Sequence, residues 1–144
     1  MAQTSQYLTF GIENECFALP VERVREVLDV RPISRLPQAP DYILGLVDVR
    51  GASLVVIDMR LKFGLSAIPT TNRTRIIVVE TDIEGAQVGL GLMADCVYAV
   101  SDLDGAALEP PPSIGARWRA DFVVALDLNR LIAADPWTSK GLAA

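Results

Sequence analysis

Ile43-Leu44-Gly45-Leu46-Val47-Asp48-Val49-Arg50-Gly51-Ala52-Ser53-Leu54-Val55-Val56-Ile57 reads as two apolar strands folded back at Arg50-Gly51-Ala52. Runs of branched and apolar residues of this length, bounded by a turn signal, predict strands over Ile43 to Val49 and Leu54 to Ile57. Glycine at the bend supplies backbone angles that other residues resist. A single arginine, Arg50, stands at the tip. It is either a solvated turn charge or a guanidinium fork offered by a rigid hairpin to a partner's carboxylate or carbonyl.

Outward from this hairpin the same grammar continues. Toward the N-terminus, Tyr7 to Ile12 is apolar, Glu13-Asn14-Glu15 is a polar turn, and Cys16 to Val21 returns as a strand. Val21, Val24, Val27 and Leu28 follow at helical spacing, which predicts a short helix or turn. Pro32, Pro37 and Pro40 then impose an extended loop. Toward the C-terminus, Arg60 to Leu65 reads as one helical turn and Ser66 to Asn72 as a linker.

The second half repeats the plan. Ile76 to Glu80 and Gln87 to Leu92 form a second hairpin around Asp82-Ile83-Glu84-Gly85. Val97 and Val100 echo Val24 and Val27, each 73 positions on. Pro110 to Pro112 stands where Pro37 and Pro40 stood, and Phe122 to Leu128 matches Leu54 to Met59. Asn129 to Ala134 ends the pattern as a short helix stopped by Pro136, with a frayed tail from Trp137. The fold class expected is all-β: two similar small barrels in one chain, residues 7–66 and 73–134.

Composition narrows the function. The chain has 144 residues, 51% of them hydrophobic and 22% charged, which is a packed globular composition. A net charge of −5 with scattered basic residues argues against nucleic acid as a partner. No apolar run approaches the length of a membrane span, and the N-terminus lacks a secretion signal, so direct membrane insertion is not expected and a cytoplasmic location is. There is no histidine, which removes Ser-His-Asp and Cys-His catalysis and most transition-metal sites. The two cysteines, Cys16 and Cys96, fit neither a zinc pattern nor a disulfide framework. Neither catalytic residues, nor a metal, nor a cofactor is expected.

Two local features invite chemistry and do not carry it. Gly89-Leu90-Gly91-Leu92-Met93-Ala94 fits a dinucleotide fingerprint, but that motif needs a strand before it and a long helix after it. Here Val88, Leu90 and Leu92 alternate with glycines as one strand, whose glycines permit close packing in a curved barrel. Glu13, Glu15, Asp82 and Glu84 fall in hairpin turns as solvated acids, while Asp58 and Asp127 follow apolar strands and can cap the turns after them.

Taken in order, Phe17-Ala18-Leu19-Pro20-Val21, Val24-Arg25-Glu26-Val27, Ile43 to Gly51, Val55-Val56-Ile57-Asp58-Met59-Arg60, Phe63-Gly64-Leu65, Val88-Gly89-Leu90 and Ala94-Asp95-Cys96-Val97 resemble the CheW family signature over about residues 7 to 134. The resemblance implies two five-stranded SH3-like barrels and a non-catalytic scaffold. It implies binding to the regulatory domain of the histidine kinase CheA and to the cytoplasmic tip of methyl-accepting chemoreceptors. The positions matching the family's interface are Val21, Val24, Glu26, Gly45, Asp48, Arg50, Gly51, Ile76 and Val100.

Three departures stand out: Asp48 replaces the usual Asn and can pair with Arg50, Ala94 replaces Val before Asp95, and Ile114 to Leu126 is a shortened hairpin in the second barrel. Rival readings are an adaptor of another chemosensory output, such as twitching motility, and a small-molecule-binding barrel using Gly89 to Ala94.

Overall fold

A computed structural model of the chain describes residues 4–83, 85–104 and 123–133. Its strands are β1 (Thr4–Ile12), β2 (Glu15–Pro20), β3 (Val24–Asp29), β4 (Ile43–Val49), β5 (Ala52–Asp58), β6 (Arg75–Ile83), β7 (Ala86–Ala94), β8 (Cys96–Asp104) and β9 (Val123–Ala125). Two short helices, α1 (Met59–Lys62) and α2 (Leu128–Ala133), follow β5 and β9. The all-β class expected from the sequence is the one observed, with two sheets. One has the order β3-β6-β7-β5-β4 and the other β8-β1-β2-β9.

The internal repeat is present, but it is not laid out as two consecutive halves. Residues 24–94 supply the five-stranded sheet, and the flanks of the chain supply the other. The split at 66/73 read from the sequence therefore does not separate the sheets. The reason lies in pairing. Hairpin β1–β2 is flanked by β8 and β9, and its counterpart β6–β7 is flanked by β3 and β5. Each hairpin has been exchanged into the sheet of the other half. Both exchanges end in a parallel pair, β2 with β9 and β5 with β7.

The five-stranded sheet closes around its own core. Leu28, Val47, Val49, Val56, Ile76, Val78 and Met93, from all five strands, form one buried cluster. Alternate residues of the same strands face the other way. Ile57, Ile77, Val79, Leu90 and Leu92 meet Leu8, Phe10, Phe17 and Leu19 of the four-stranded sheet in a second cluster, joined by Leu128 and Leu131 of α2. Strands buried on both faces read as continuous apolar runs, as Ile76-Ile77-Val78-Val79 does. Gly91 faces the inner core: a Cβ there would come 2.9 Å from Ile76 Cγ2 and 3.3 Å from Val56 Cγ2. The glycines of the false nucleotide motif thus lie in strand β7, as the alternation predicted.

Two local readings change. The helical spacing at Val21 to Leu28 yields a single 3-10 turn, Val21–Arg23, and then strand β3, because β3 finds antiparallel partners on β6 from Val24 to Asp29. Tertiary pairing overrides a four-residue periodicity of this kind. Helix α1 begins at Met59, one residue before the predicted turn. Asp58 caps it as expected, its Oδ1 accepting from Arg60 N at 2.9 Å and Leu61 N at 3.4 Å. Asp127 does the same for α2, accepting from Arg130 N at 3.1 Å. The proline cluster, residues 114–122 of the shortened hairpin expected over Ile114 to Leu126, and the C-terminal tail lie outside the described residues.

Candidate functional site

The decisive hairpin has the tightest possible connection. Val49 pairs with Ala52, leaving Arg50 and Gly51 as a two-residue loop. Both have positive φ, 51° and 83°, the conformation of a type I′ turn. Asn and Gly are the usual occupants, and a bulky L-residue in the first position is strained. Arg50 is held there while its side chain remains 77% exposed.

That side chain does not turn to Asp48. Its fork engages the Glu26 carboxylate on β3, with Nη1 donating to Oε2 and Nη2 donating to Oε1 at 3.1 Å. Strands β3 and β4 are the two edges of the five-stranded sheet, so the pair spans the seam where the barrel closes. Asp48 serves the same seam differently. Its carbonyl accepts from Arg31 Nη1 at 3.3 Å, and its carboxylate accepts from Ser53 Oγ at 3.4 Å.

The remaining interface positions divide into exposed and structural ones. Gly45 is buried with φ 142°, and a Cβ there would sit 2.1 Å from Ser34 O. It admits the crossing of the proline loop, where Ser34 N donates to Leu46 O at 2.8 Å and Leu46 N donates to Ser34 O at 2.7 Å. Ile76 is fully buried in the inner core. Neither side chain position can touch a partner directly. Val21 and Val24 are half-buried where the chain passes from one sheet to the other, and Val24 packs against the core between the sheets. Val100 is 50% exposed on β8, the edge of the four-stranded sheet.

The structure exposes two further apolar side chains: Val27, read from the sequence as part of the helical spacing and the repeat, and Tyr98, which sequence reading did not single out. Val27 on β3 is 38% exposed and Tyr98 on β8 is 54% exposed. Strands β3 and β8 are equivalents in the internal repeat, and Val27 and Val100 occupy equivalent places. Their 73-residue spacing was the available signal. Each hairpin-bearing sheet therefore presents an edge strand with an exposed valine, and beside β3 stands the Arg50–Glu26 pair.

A second polar group was read from the sequence only as solvated turn charge and as signature. Arg60, with a side chain 10% exposed, donates from Nη1 to Asp95 Oδ2 at 2.7 Å and from Nε to Ser66 O at 2.8 Å, and its Nη2 donates to Glu13 Oε1. Burial works against the guanidinium charge, but hydrogen bonds to Glu13 and Asp95 more than offset it and raise the pKa. Asp95 also accepts from Glu13 N at 2.8 Å. Glu13 is thus a partner in a charge cluster, not a free turn acid.

The thiols are free, Cys16 half-buried and Cys96 buried. Burial, then the nearby Cys96, pushes the Cys16 thiol up from its ordinary value. Among the described residues no helix is long and apolar enough to cross a membrane.

The CheW-like domain family model matches residues 6–135. The chemotaxis protein CheW of Rhizobium meliloti (strain 1021) is 28% identical over 117 residues, 81% of this chain and 73% of that protein. Protein FrzA of Myxococcus xanthus is 29% identical over 107 residues, 74% of this chain and 64% of that protein. The crystal structure of scaffolding protein TtCheW from Thermoanaerobacter tengcongensis superposes with a TM-score of 0.77 at 26% identity, covering 90% of this chain and 93% of the other. An all-β chain with this topology, matched by the family model over nearly its whole length, belongs to the CheW-like family and is a chemotaxis coupling adaptor.

Proposed function

We propose that this adaptor works without catalysis, by holding the regulatory domain of a CheA-type histidine kinase and the cytoplasmic tip of a chemoreceptor at the same time. The observation that carries this reading is the pair of exposed valines, Val27 and Val100, at equivalent places on edge strands β3 and β8, with the Arg50–Glu26 pair beside Val27. Exposed apolar side chains on strand edges, flanked by a fixed ion pair, make a surface for another protein rather than for a small molecule. The apolar positions supply affinity, and the charge pair supplies register. The receptor tip is the partner assigned to this surface, and the kinase domain is assigned to another face.

Titration calorimetry of the purified chain against a receptor cytoplasmic fragment and a kinase regulatory domain tests the assignment. Val100→Glu should weaken receptor binding at least tenfold, about 1.4 kcal/mol. Kinase binding should change far less. Receptor affinity that survives both Val27→Glu and Val100→Glu would remove this surface from the proposal.

A further inference from the structure

We infer that Arg60 fixes how the two sheets are turned relative to one another, acting as a positioning residue for the coupling of two partners. The core between the sheets holds them together through apolar contact, which is non-directional and tolerates small rotations. The Arg60 fork is directional and planar, and each of its bonds ends on a different segment. Arg60 itself follows β5 of the five-stranded sheet. Glu13 lies in the β1–β2 turn of the other sheet. Asp95 is the single residue at which the chain leaves β7 for β8, and so passes from one sheet to the other. Asp95 is itself fastened to the four-stranded sheet, its N donating to Gly11 O at 3.0 Å and its Oδ2 accepting from Glu13 N at 2.8 Å.

The internal repeat supplies a comparison. At the equivalent junction, Asn129 of α2 accepts from the Thr81 hydroxyl of β6. That contact is neutral and reaches one segment, where Arg60 reaches three. Loss of the fork should leave each sheet intact and release the angle between them.

The functional half of this inference rests on the two-partner reading above, with Val27 and Arg50 on one sheet and Val100 on the other. An angle that is free to vary weakens a receptor site drawn from both sheets and transmits less of the receptor's state to the kinase domain, which still docks.

Residual dipolar couplings on the isotope-labelled chain test the first half without any partner. In the wild type the amides of both sheets should fit one alignment tensor. In Arg60→Gln each sheet should keep its internal fit and require its own tensor, and Arg60→Lys should fall between the two. A single tensor for both sheets in Arg60→Gln, matching the wild type, overturns the inference. If Arg60→Gln does not fold, the Glu13→Gln/Asp95→Asn double variant, which keeps the arginine and weakens its acceptors, is judged by the same outcomes.

The second half is read as kinase-domain affinity with and without receptor fragment. Arg60→Gln should keep the separate kinase-domain affinity, weaken the separate receptor affinity, and shrink the mutual effect by at least about fivefold. Equal losses in all three quantities would mark a merely structural role. A wild-type chain that binds neither partner sinks the proposed function and leaves the tensor result standing.

Discussion

Arg50 and Glu26 join the two edge strands of one sheet, so the ion pair at the hairpin tip is also the seam of the barrel. The arginine occupies a turn position with φ 51°, where its backbone is strained, and its side chain is mostly exposed. Exposed ion pairs contribute about 0–1 kcal/mol, so the pair does not repay the strain by a wide margin. Strained, exposed and held in place is the pattern of a residue kept for recognition.

Arg50→Asn should therefore leave the melting temperature unchanged or raise it slightly, since Asn suits the left-handed position. The same substitution should weaken receptor binding at least tenfold, about 1.4 kcal/mol. Arg50→Glu should do likewise and lower stability by no more than about 1 kcal/mol through repulsion with Glu26. A charge-exchanged Glu26→Arg/Arg50→Glu chain should recover that stability without recovering binding. Thermal melts and calorimetry on the same samples separate the two roles, and unchanged receptor affinity in Arg50→Asn would leave Arg50 a turn residue.

Two glycines of the same hairpin make a contrasting pair. Gly51 has φ 83° and open space where a Cβ would stand, whereas Gly45 has φ 142° and Ser34 O at 2.1 Å. Gly51→Ala should cost about 1 kcal/mol, the backbone term alone. Gly45→Ala adds a clash with backbone and should cost about 3 kcal/mol. It should also abolish amide protection at Ser34 and Leu46. Equal costs in denaturant titration would mean that the proline loop moves aside freely.

The hairpin was legible because its signals are local: an apolar run, a turn glycine, an apolar run. The repeat was legible too, since its order survives in Val24 and Val27 against Val97 and Val100. The exchange of hairpins was not, because it depends on which strand pairs with which across long separations, from Val55 with Leu90 to Cys16 with Val123. The burial of Ile76 was hidden for a related reason. Strand β6 is apolar on both faces, so alternation gives no sign of which residues face inward. Glu13, Arg60 and Asp95 are far apart in the chain and only the fold makes them one cluster.

Alkaline pH should loosen the fold before acid pH does through the groups whose pKa values are displaced. Burial, then the charge of Glu22, raises Tyr7. Hydrogen bonding of the hydroxyl to Cys96, followed by the charge of Cys96, raises Tyr98. Cys16 is raised by burial and then by Cys96. For each, the folded value lies above the unfolded one, so the protonated form is the stabilised form. Their contribution is complete below the ordinary values of 9.0 for the thiol and 10.0 for the phenols, and is lost as pH rises through the folded values. Melting temperature should accordingly fall above about pH 9 in step with tyrosinate absorbance, and Cys16→Ala should blunt the early part of the fall. A flat stability profile through the tyrosinate transition would contradict this.

The two helix caps, equivalent in the repeat, should differ in weight. Asp58 is buried, accepts from both Arg60 N and Leu61 N, and opens the turn that carries Arg60 into its cluster. Asp127 accepts from Arg130 N, and its side chain is 38% exposed. Removing an N-cap costs about 0.5–2 kcal/mol, with buried sites at the upper end because the freed N–H groups cannot reach water. Asp58→Ala should therefore cost about 2 kcal/mol and Asp127→Ala about 0.5 kcal/mol. Asp58→Ala should have a further effect that a simple cap would not. By loosening α1 it should misplace the guanidinium, so its destabilisation and that of Arg60→Gln should not add. Residues sharing one network couple in double-mutant cycles by about 0.5–3 kcal/mol, whereas Asp127→Ala combined with Arg60→Gln should be additive. Denaturant titration of the three single and two double variants measures both cycles, and additivity in the Asp58 cycle would show that the cap and the cluster are independent.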